Sequence, residues 1–235
     1  GIPWRLKRPH TRELIVGFGV FQSKKYNMKY TGSSVCFSND GTFEAFDCFR
    51  ADDTYGLTAT VKKAIHKYVA THENPERLVI HFYRRLSHTV LKPVERMLRE
   101  LNFNIPVFVV SINKTYSNNI TAFMHHDAYG LPPAGTVINY NPGQYLLYLN
   151  DRAPDDEKYS GFMPMPLKIS LWSNTDEPLE ERESFATLMQ QVYDFCFLYY
   201  RSVRHARLSV TIVYPEMLAG IVPYFRDEVL QEERA

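Results

Sequence analysis

The chain has 235 residues, of which 45% are hydrophobic and 14% aromatic, enough to build the packed core of one large domain or two small ones. It contains no apolar run long enough to span a bilayer, its opening GIPWRLKRPHTRE lacks the apolar stretch of a secretory signal, and its three cysteines show no C-x-x-C spacing. We therefore expect a soluble protein of the reducing cytoplasm, without disulfides or structural zinc. A net charge of +1 excludes a general attraction to nucleic acid, so any such binding must come from local groups of basic residues.

The first half of the chain predicts a mixed sheet. ELIVGFGVFQ is a short apolar run typical of a buried strand, and TGSSVCFSN and TFEAFDCFR follow as strands joined by Asp40-Gly41, a dipeptide typical of tight hairpin turns. RLVIHFYRR and IPVFVVSIN are further strands, nearly wholly apolar. Apolar residues at three- and four-residue steps predict two amphipathic helices between these strands, one from Thr54 to His72, capped by Asp53 or Thr54, and one from Ser87 to Leu101.

The second half predicts a hairpin, a strand and further helices. TVINY and QYLLYLN flank Asn141-Pro142-Gly143 as a hairpin, and MPLKISLWS supplies another strand. A long helix is predicted from Glu180 to Val203, followed by RLSVTIVY as a strand and a last short helix from Pro215 to about Phe225. With the initial order β-β-β-α-β-α-β, these elements predict one α/β domain with a mixed central sheet flanked by helices, the architecture of the ribonuclease H fold.

Motifs along the whole chain resemble, in the right order, those of the PIWI domain of Argonautes. GIPWRL is similar to the segment that joins the MID domain to PIWI, LIVGFGV to the strand with the first catalytic aspartate, and IHFYRR to the strand with the second. QQVYDF through RLSVTIVYPEMLA resembles the long helix, buried strand and final helix. The resemblance implies a PIWI domain over 13–235, with 1–12 as the end of the MID–PIWI connection and a MID domain upstream of Gly1.

IHFYRR is most like the corresponding strand of short prokaryotic Argonautes, which comprise MID and PIWI domains alone. That resemblance implies a guide, taken as RNA before DNA, a complementary target DNA from an invader, and an effector protein with an APAZ region. The effector would carry a TIR or sirtuin-like domain that consumes NAD, and the chain would report target capture to it in prokaryotic immunity. No residue here distinguishes an RNA guide from a DNA guide.

The resemblance also indicates that the nuclease chemistry is lost. PIWI nucleases use carboxylates to hold two divalent ions. The family's first aspartate is replaced by Gly19 and its second by Tyr83, which leaves Glu216 as the one acid at a catalytic position. We therefore expect an inactive nuclease that needs no cofactor for catalysis, and Mg²⁺ at the 5′-phosphate of a guide is the one ion that the resemblance still allows.

Two other functions are compatible with the same residues. One is a ribonuclease H-like, metal-dependent nuclease with displaced ligands such as Asp47, Asp53 and Glu216. The other is a protein-interaction scaffold that binds no nucleic acid.

Basic residues near strand and helix ends are the candidates for binding nucleic acid. Tyr83 beside Arg84 and Arg85 would turn a site that repels phosphates into one that accepts them. Lys114 follows a strand at a place where PIWI domains carry basic residues, and a basic group follows the long helix near the family's guide 5′ end. The predicted contacts are Lys114, Arg84, Arg85, Arg201, Arg204, His205 and Arg207.

Other conspicuous side chains are expected to be structural. Cys196 lies in an apolar helical stretch, and adjacent histidines at His125 and His126, followed by Asp127, rarely converge on one metal ion. Four tyrosines could stack on bases, but their spacing favours packing within the fold. These are Tyr145, Tyr148, Tyr199 and Tyr200.

Overall fold

A computed structural model describes residues 5–7, 12–24, 27–36, 40–53, 55–113, 120–125, 130, 132–149, 166–175, 183–200 and 208–232, apart from the side chains of 88, 183 and 226–232. Within these residues, eight strands form one sheet in the order β3-β2-β1-β4-β5-β8-β7-β6. The strands are β1 (Glu13–Ser23), β2 (Met28–Cys36), β3 (Phe43–Arg50), β4 (Arg77–Phe82), β5 (Val107–Asn113), β6 (Val137–Asn141), β7 (Gln144–Leu147) and β8 (Leu167–Ser173).

The sheet is mixed, as the sequence predicts. β1, β2 and β3 form an antiparallel meander, β1, β4 and β5 run parallel, and β8, β7 and β6 continue antiparallel. Because β1, β4 and β5 run parallel, their carboxyl ends meet at one edge of the sheet, which we call the carboxyl edge. The fold is the predicted ribonuclease H-like α/β architecture.

Helices cover both faces of the sheet, because side chains of each inner strand alternate between two cores. Leu14, Val16 and Phe18 of β1 point to a core shared with α1 (Gly56–Thr71) and α2 (His88–Glu100). Ile15 points to the other core, shared with α3 (Glu183–Phe195) and α4 (Val210–Glu232). In the described part of the chain, no helix combines the length and hydropathy needed to cross a membrane.

The predicted strand RLSVTIVY is wrong, because Val210 already begins α4. Four consecutive β-branched residues favour a strand locally, but Ser209 lies directly before α4 and its Oγ accepts the Thr211 amide at 3.4 Å. The predicted helix from Glu180 to Val203 is also too long, since α3 ends at Phe195.

The connection between β2 and β3 is longer than the predicted tight turn. β2 ends at Cys36 and β3 begins at Phe43, and Gly41 has a φ of +85°. Asp40 folds back locally, with Oδ1 accepting the amide of Thr42 at 2.8 Å. The dipeptide therefore lies in the connection, but it does not close a two-residue hairpin.

The N-cap of α1 is Tyr55, two residues after the predicted Asp53, and it makes no side-chain capping bond. Asp53 still supports the start of the helix, because its Oδ1 accepts the amides of Tyr55 and Gly56 at 2.9 and 3.1 Å. Thr54 lies outside the described residues.

Candidate nucleic-acid interface

Helix α4 lies directly on three glycines, Gly17 and Gly19 of β1 and Gly32 of β2, which we call the glycine seat. A Cβ added at Gly19 would lie 2.6 Å from the amide nitrogen of Glu216 and closer still to the carbonyl oxygen of Ile212. Added Cβ atoms at Gly17 and Gly32 would likewise come within 2.8 Å of α4 backbone carbonyl carbons. A Cβ atom does not come this close to an atom to which it is not bonded, so no side chain fits on the seat while α4 is in place.

The close approach of α4 depends on an unusual helical turn. Pro215 has no N–H, so the carbonyl of Thr211, four residues earlier, receives no hydrogen bond from the helix. That carbonyl faces the sheet, where Ser34 Oγ of β2 donates to it at 3.5 Å. The Ser34 hydroxyl thus replaces the hydrogen bond that Pro215 removes. Gly17 on the neighbouring strand leaves room for the Thr211 carbonyl oxygen.

The three positions that the resemblance assigns to a degenerate catalytic site lie together at the carboxyl edge. The backbone of Glu216 contacts Gly19. Phe18 pairs with Phe82, so Gly19 and Tyr83 are the residues that follow the last parallel pair on neighbouring strands. The structure therefore brings Gly19, Tyr83 and Glu216 to one place.

Tyr83 is a half-buried aromatic group beside a cation. Its ring stacks on Phe82 with centroids 4.7 Å apart, and the guanidinium of Arg84 lies 5.4 Å from its centroid. Burial raises the pKa of the Tyr83 hydroxyl, against a smaller opposite effect of Arg84. The phenol is thus a neutral hydrogen-bond donor at physiological pH and not a ligand that attracts divalent cations.

The basic part of the site follows β4 directly. Arg84 and Arg85 are both exposed at the carboxyl edge, between the end of β4 and the beginning of α2. Both guanidiniums can therefore bind a phosphate without first breaking contacts inside the protein. The other predicted contacts, Lys114, Arg201, Arg204, His205 and Arg207, lie outside the described residues.

Two of the acids considered as displaced ligands are engaged elsewhere. Asp47 Oδ2 lies 2.9 Å from Lys63 Nζ on α1, and Asp53 accepts amide hydrogen bonds at the start of the same helix. Glu216 belongs to α4, on the opposite face of the sheet from α1. Among the described residues no three or more His, Cys, Asp or Glu side chains form a group that could hold a metal ion, and the residues present do not fit a two-metal centre.

A buried polar network, missed by sequence reasoning, ties α4 to β4. The His81 side chain is fully buried, and its Nδ1 lies 2.8 Å from Thr211 Oγ1, which in turn lies 2.7 Å from Ser209 Oγ. Burial lowers the pKa of His81 to about 4, against a smaller opposite effect of Gln191, so the imidazole is neutral. A histidine within the otherwise apolar LVIHF is the one sequence signal that could have indicated such a network.

The same core holds an ion pair. Glu13 at the start of β1 pairs with Arg77 at the start of β4, and Gln191 of α3 donates from Nε2 to Glu13 Oε2 at 2.9 Å. Because the Glu13 carboxylate is buried, the Arg77 guanidinium and the Gln191 amide provide the interactions that water would make with it at the surface.

The remaining predictions have mixed outcomes. Tyr145 and Tyr148 are buried, and Cys196 is a buried core residue whose pKa is raised by burial, as expected. The prediction that Tyr200 packs within the fold is wrong, because its side chain is 61% exposed. His126 and Asp127 lie outside the described residues.

Known structures share this fold. The crystal structure of Drosophila Piwi is 18% identical, with a TM-score of 0.69, over 92% of this chain and 30% of that chain. Two crystal structures of Marinitoga piezophila Argonaute, one with 5′ OH guide RNA and one with this guide and target DNA, are 14% identical, with TM-scores of 0.57. They cover 90% of this chain and 30% and 29% of theirs.

At these identities the likeness establishes a PIWI-like fold. No protein-family model and no curated protein matches the sequence. The chain spans about 30% of the length of the chains in these three structures.

Proposed function

We propose that this chain is a nuclease-inactive PIWI-like module that binds a guide strand paired with its target at the carboxyl edge. The PIWI-like fold supports this proposal, because Marinitoga piezophila Argonaute, which shares the fold, has been crystallised with guide RNA and target DNA. Proteins hold such paired strands through the backbone, with lysine, arginine and main-chain donors, while base pairing supplies the sequence specificity.

The observation that carries the proposed inactivity is the contact between α4 and Gly19. An aspartate at this position would have its Cβ 2.6 Å from the Glu216 amide nitrogen, so the first metal ligand has no space. Neither Tyr83 nor the engaged acids Asp47 and Asp53 can take its place. A lone Glu216 carries too little negative charge to hold two dications side by side.

Arg84 and Arg85 support the proposed binding. They extend the carboxyl edge beside a tyrosine that is neutral at physiological pH, so the position has lost negative charge and gained two cations. A phosphate would be repelled by a carboxylate cluster, but it can accept hydrogen bonds from two guanidiniums and a phenol.

The biological context follows the resemblance to short prokaryotic Argonautes. In this proposal the guide is RNA, the target is invader DNA, and target capture is transmitted to an APAZ-containing effector that consumes NAD. A guide RNA mixed with the complete Argonaute and its effector should cause NAD loss when the complementary DNA is added, and a scrambled DNA should not.

The binding experiment compares arginine variants. Fluorescence anisotropy with a labelled guide RNA–target DNA pair should show affinity that falls steeply as salt rises. Arg84→Ala and Arg85→Ala should each weaken binding and lower the salt slope by about 1. Arg99→Ala provides the matched control, because Arg99 is an exposed arginine in the last turn of α2, away from the carboxyl edge. Unchanged affinity and slope in both variants would refute the assigned site.

The cleavage experiment separates this proposal from the nuclease alternative. The same pair is incubated with Mg²⁺ or Mn²⁺, and we expect no more product than in EDTA. Metal-dependent cuts that disappear in Glu216→Ala would establish the displaced-ligand nuclease instead. Absence of any salt-dependent binding would favour the protein scaffold.

A further inference from the structure

Five aromatic rings form a continuous cluster on the α4 side of the sheet, away from the carboxyl edge. Neighbouring rings in the cluster have centroids between 5.1 and 6.3 Å apart. We call this cluster the aromatic platform, and its members are Phe43, Phe46, Tyr199, Tyr200 and Tyr214.

A β-bulge creates the part of the platform that lies on β3. Cys36 pairs with Phe43 but Val35 pairs with Ala45, so Glu44 is an extra residue in β3. Without a bulge, Phe43 and Phe46 would point to opposite faces of the sheet, because they are an odd number of residues apart. The bulge turns them to the same face, where their rings stack at 5.5 Å with an interplanar angle of 23°.

Hydrogen bonds fix the other part of the platform. The Tyr214 hydroxyl of α4 donates to the carbonyl of Leu198 at 3.0 Å and accepts the Tyr200 amide at 3.4 Å. The Tyr214 ring also meets Phe43 edge to face at 5.1 Å. The backbone after α3 is thereby held against α4 and β3, so the rings are positioned before any ligand binds.

The inner rings are half-buried, whereas the two outer rings are open to solvent. Phe46 is 48% exposed and Tyr200 is 61% exposed, although both rings contact other aromatic rings. Because the Phe46 and Tyr200 rings are exposed and already positioned, each can accept another planar ring without rearrangement.

Basic side chains lie beside this apolar surface. The Leu6 amide donates to the Asp40 carbonyl at 2.9 Å, and the adjacent Gly41 contacts Leu198, so the exposed Arg5 and Lys7 lie near the platform. Glu44 is an exposed acid in the platform's strand, but the two cations Arg5 and Lys7 outnumber it.

We infer that the aromatic platform binds unpaired bases of a single-stranded nucleic acid whose phosphates contact the flanking basic residues. Stacking rings with adjacent cations match the alternation of bases and phosphates along such a strand. Through the strand pairings, Phe43 is level with Ile15 and Phe46 with Gly17, so these two rings lie about 13 and 7 Å along β1 from Gly19 at 3.3 Å per residue.

This inference rests on the proposed function, because the strand would be the unpaired continuation of the guide or target held at the carboxyl edge. Separations of about 7–13 Å along β1 let one strand contact both surfaces. The two surfaces use different residues, so their contributions can be measured independently.

The test uses a short single strand containing 2-aminopurine, whose fluorescence falls when it stacks, and an abasic strand of equal length. Phe46→Ala and Tyr200→Ala should each weaken binding of the base-containing strand about 5- to 100-fold, the effect of losing one base–aromatic stack. Tyr200→Phe should restore both affinity and quenching. Both side chains are exposed, so the alanine variants should fold, which circular dichroism can check. Tyr55→Ala is the matched control, since Tyr55 is exposed beside α1 and is not a member of the platform.

The outcomes distinguish the platform from the carboxyl edge. If Phe46→Ala and Tyr200→Ala leave binding unchanged, or weaken the abasic strand equally, the platform assignment is wrong while the proposed function stands. If only Arg84→Ala and Arg85→Ala have no effect, the platform stands and the carboxyl-edge site is wrong. If the wild type binds no nucleic acid but forms a dimer that Tyr200→Ala disrupts, the platform is a protein interface and both proposals are overturned.

Discussion

The imidazole of His81 meets the hydroxyl of Thr211, Nδ1 to Oγ1 at 2.8 Å, although 130 residues separate the two in sequence. This contact joins the middle of the sheet to the first turn of α4, the helix that occupies the glycine seat. Because the imidazole is fully buried, only its neutral form is compatible with the folded core.

His81 should make the stability of the chain depend on pH. Its folded pKa is about 4, below the ordinary value of 6.5, so between these values the unfolded chain binds more protons than the folded chain. The stabilisation is therefore complete above pH 6.5 and declines as the pH falls toward 4, by up to about 3 kcal/mol. Urea unfolding between pH 7.5 and about 4 measures this change.

His81→Gln provides the control for that slope, because glutamine keeps a polar side chain but does not titrate. The variant should be less stable at neutral pH, yet it should lose less stability on acidification. An equally steep decline in both proteins would show that other groups cause it.

Filling the glycine seat should destabilise the fold. Gly19→Ala should lower the free energy of unfolding by about 1–3 kcal/mol, and Gly19→Asp by more, because the added atoms meet the α4 backbone and the carboxylate has no compensating partner. Thermal or urea unfolding measures both changes.

Gly220→Ala is the matched control on the same helix. Its added Cβ would have its nearest neighbour, Phe21 Cδ2, at 3.5 Å, an ordinary contact, and alanine favours a helix by roughly 0.5–1 kcal/mol over glycine. We expect no loss of stability. A Gly19→Ala protein as stable as the wild type would contradict the described position of α4.

The buried ion pair should matter more than an exposed one. Arg77→Leu leaves the carboxylate of Glu13 buried without its main partner and should cost about 3–5 kcal/mol. Glu73→Ala removes an exposed partner of Arg12 and should cost about 1 kcal/mol or less. Equal losses in the two variants would show that burial of Glu13 is not decisive.

Ser34 and Pro215 should be coupled energetically. Ser34→Ala removes the donor to the Thr211 carbonyl and should cost about 1–2 kcal/mol. In a Pro215→Ala background the new N–H can bond that carbonyl within the helix, so the same serine substitution should cost less. A double-mutant cycle by urea unfolding measures the difference, and strictly additive losses would exclude the exchange of donors.

The sequence predicts the order and type of the elements well where the pattern is local. Alternating or continuous apolar runs locate β1, β4 and β5, and the spacing of Val61, Ile65 and Leu91 with its neighbours predicts α1 and α2. Gly19 and Tyr83 lie side by side because parallel strands end at one edge, whereas Glu216 meets Gly19 through the packing of α4 on the sheet.

The failures arise where distant residues override local preference. Val210 to Val213 favour a strand by their branched side chains, but the glycine seat, Ser209 and the Ser34 hydroxyl together stabilise a helix there. Likewise, the exposure of Tyr200 depends on a bond between its amide and Tyr214, which no periodicity indicates. The bulge at Glu44 also cannot be predicted from local sequence, because it depends on how β3 pairs with β2.

The glycine seat limits which single substitutions position 19 can accept. A codon change to aspartate alone would insert a side chain where α4 already has main-chain atoms, so the variant would lose stability before it gained a ligand. The helix would first have to withdraw, which would break the hydroxyl contact with His81 and leave the Ser34 donor unused. An acid at this position would thus lie across a fitness valley with at least two steps.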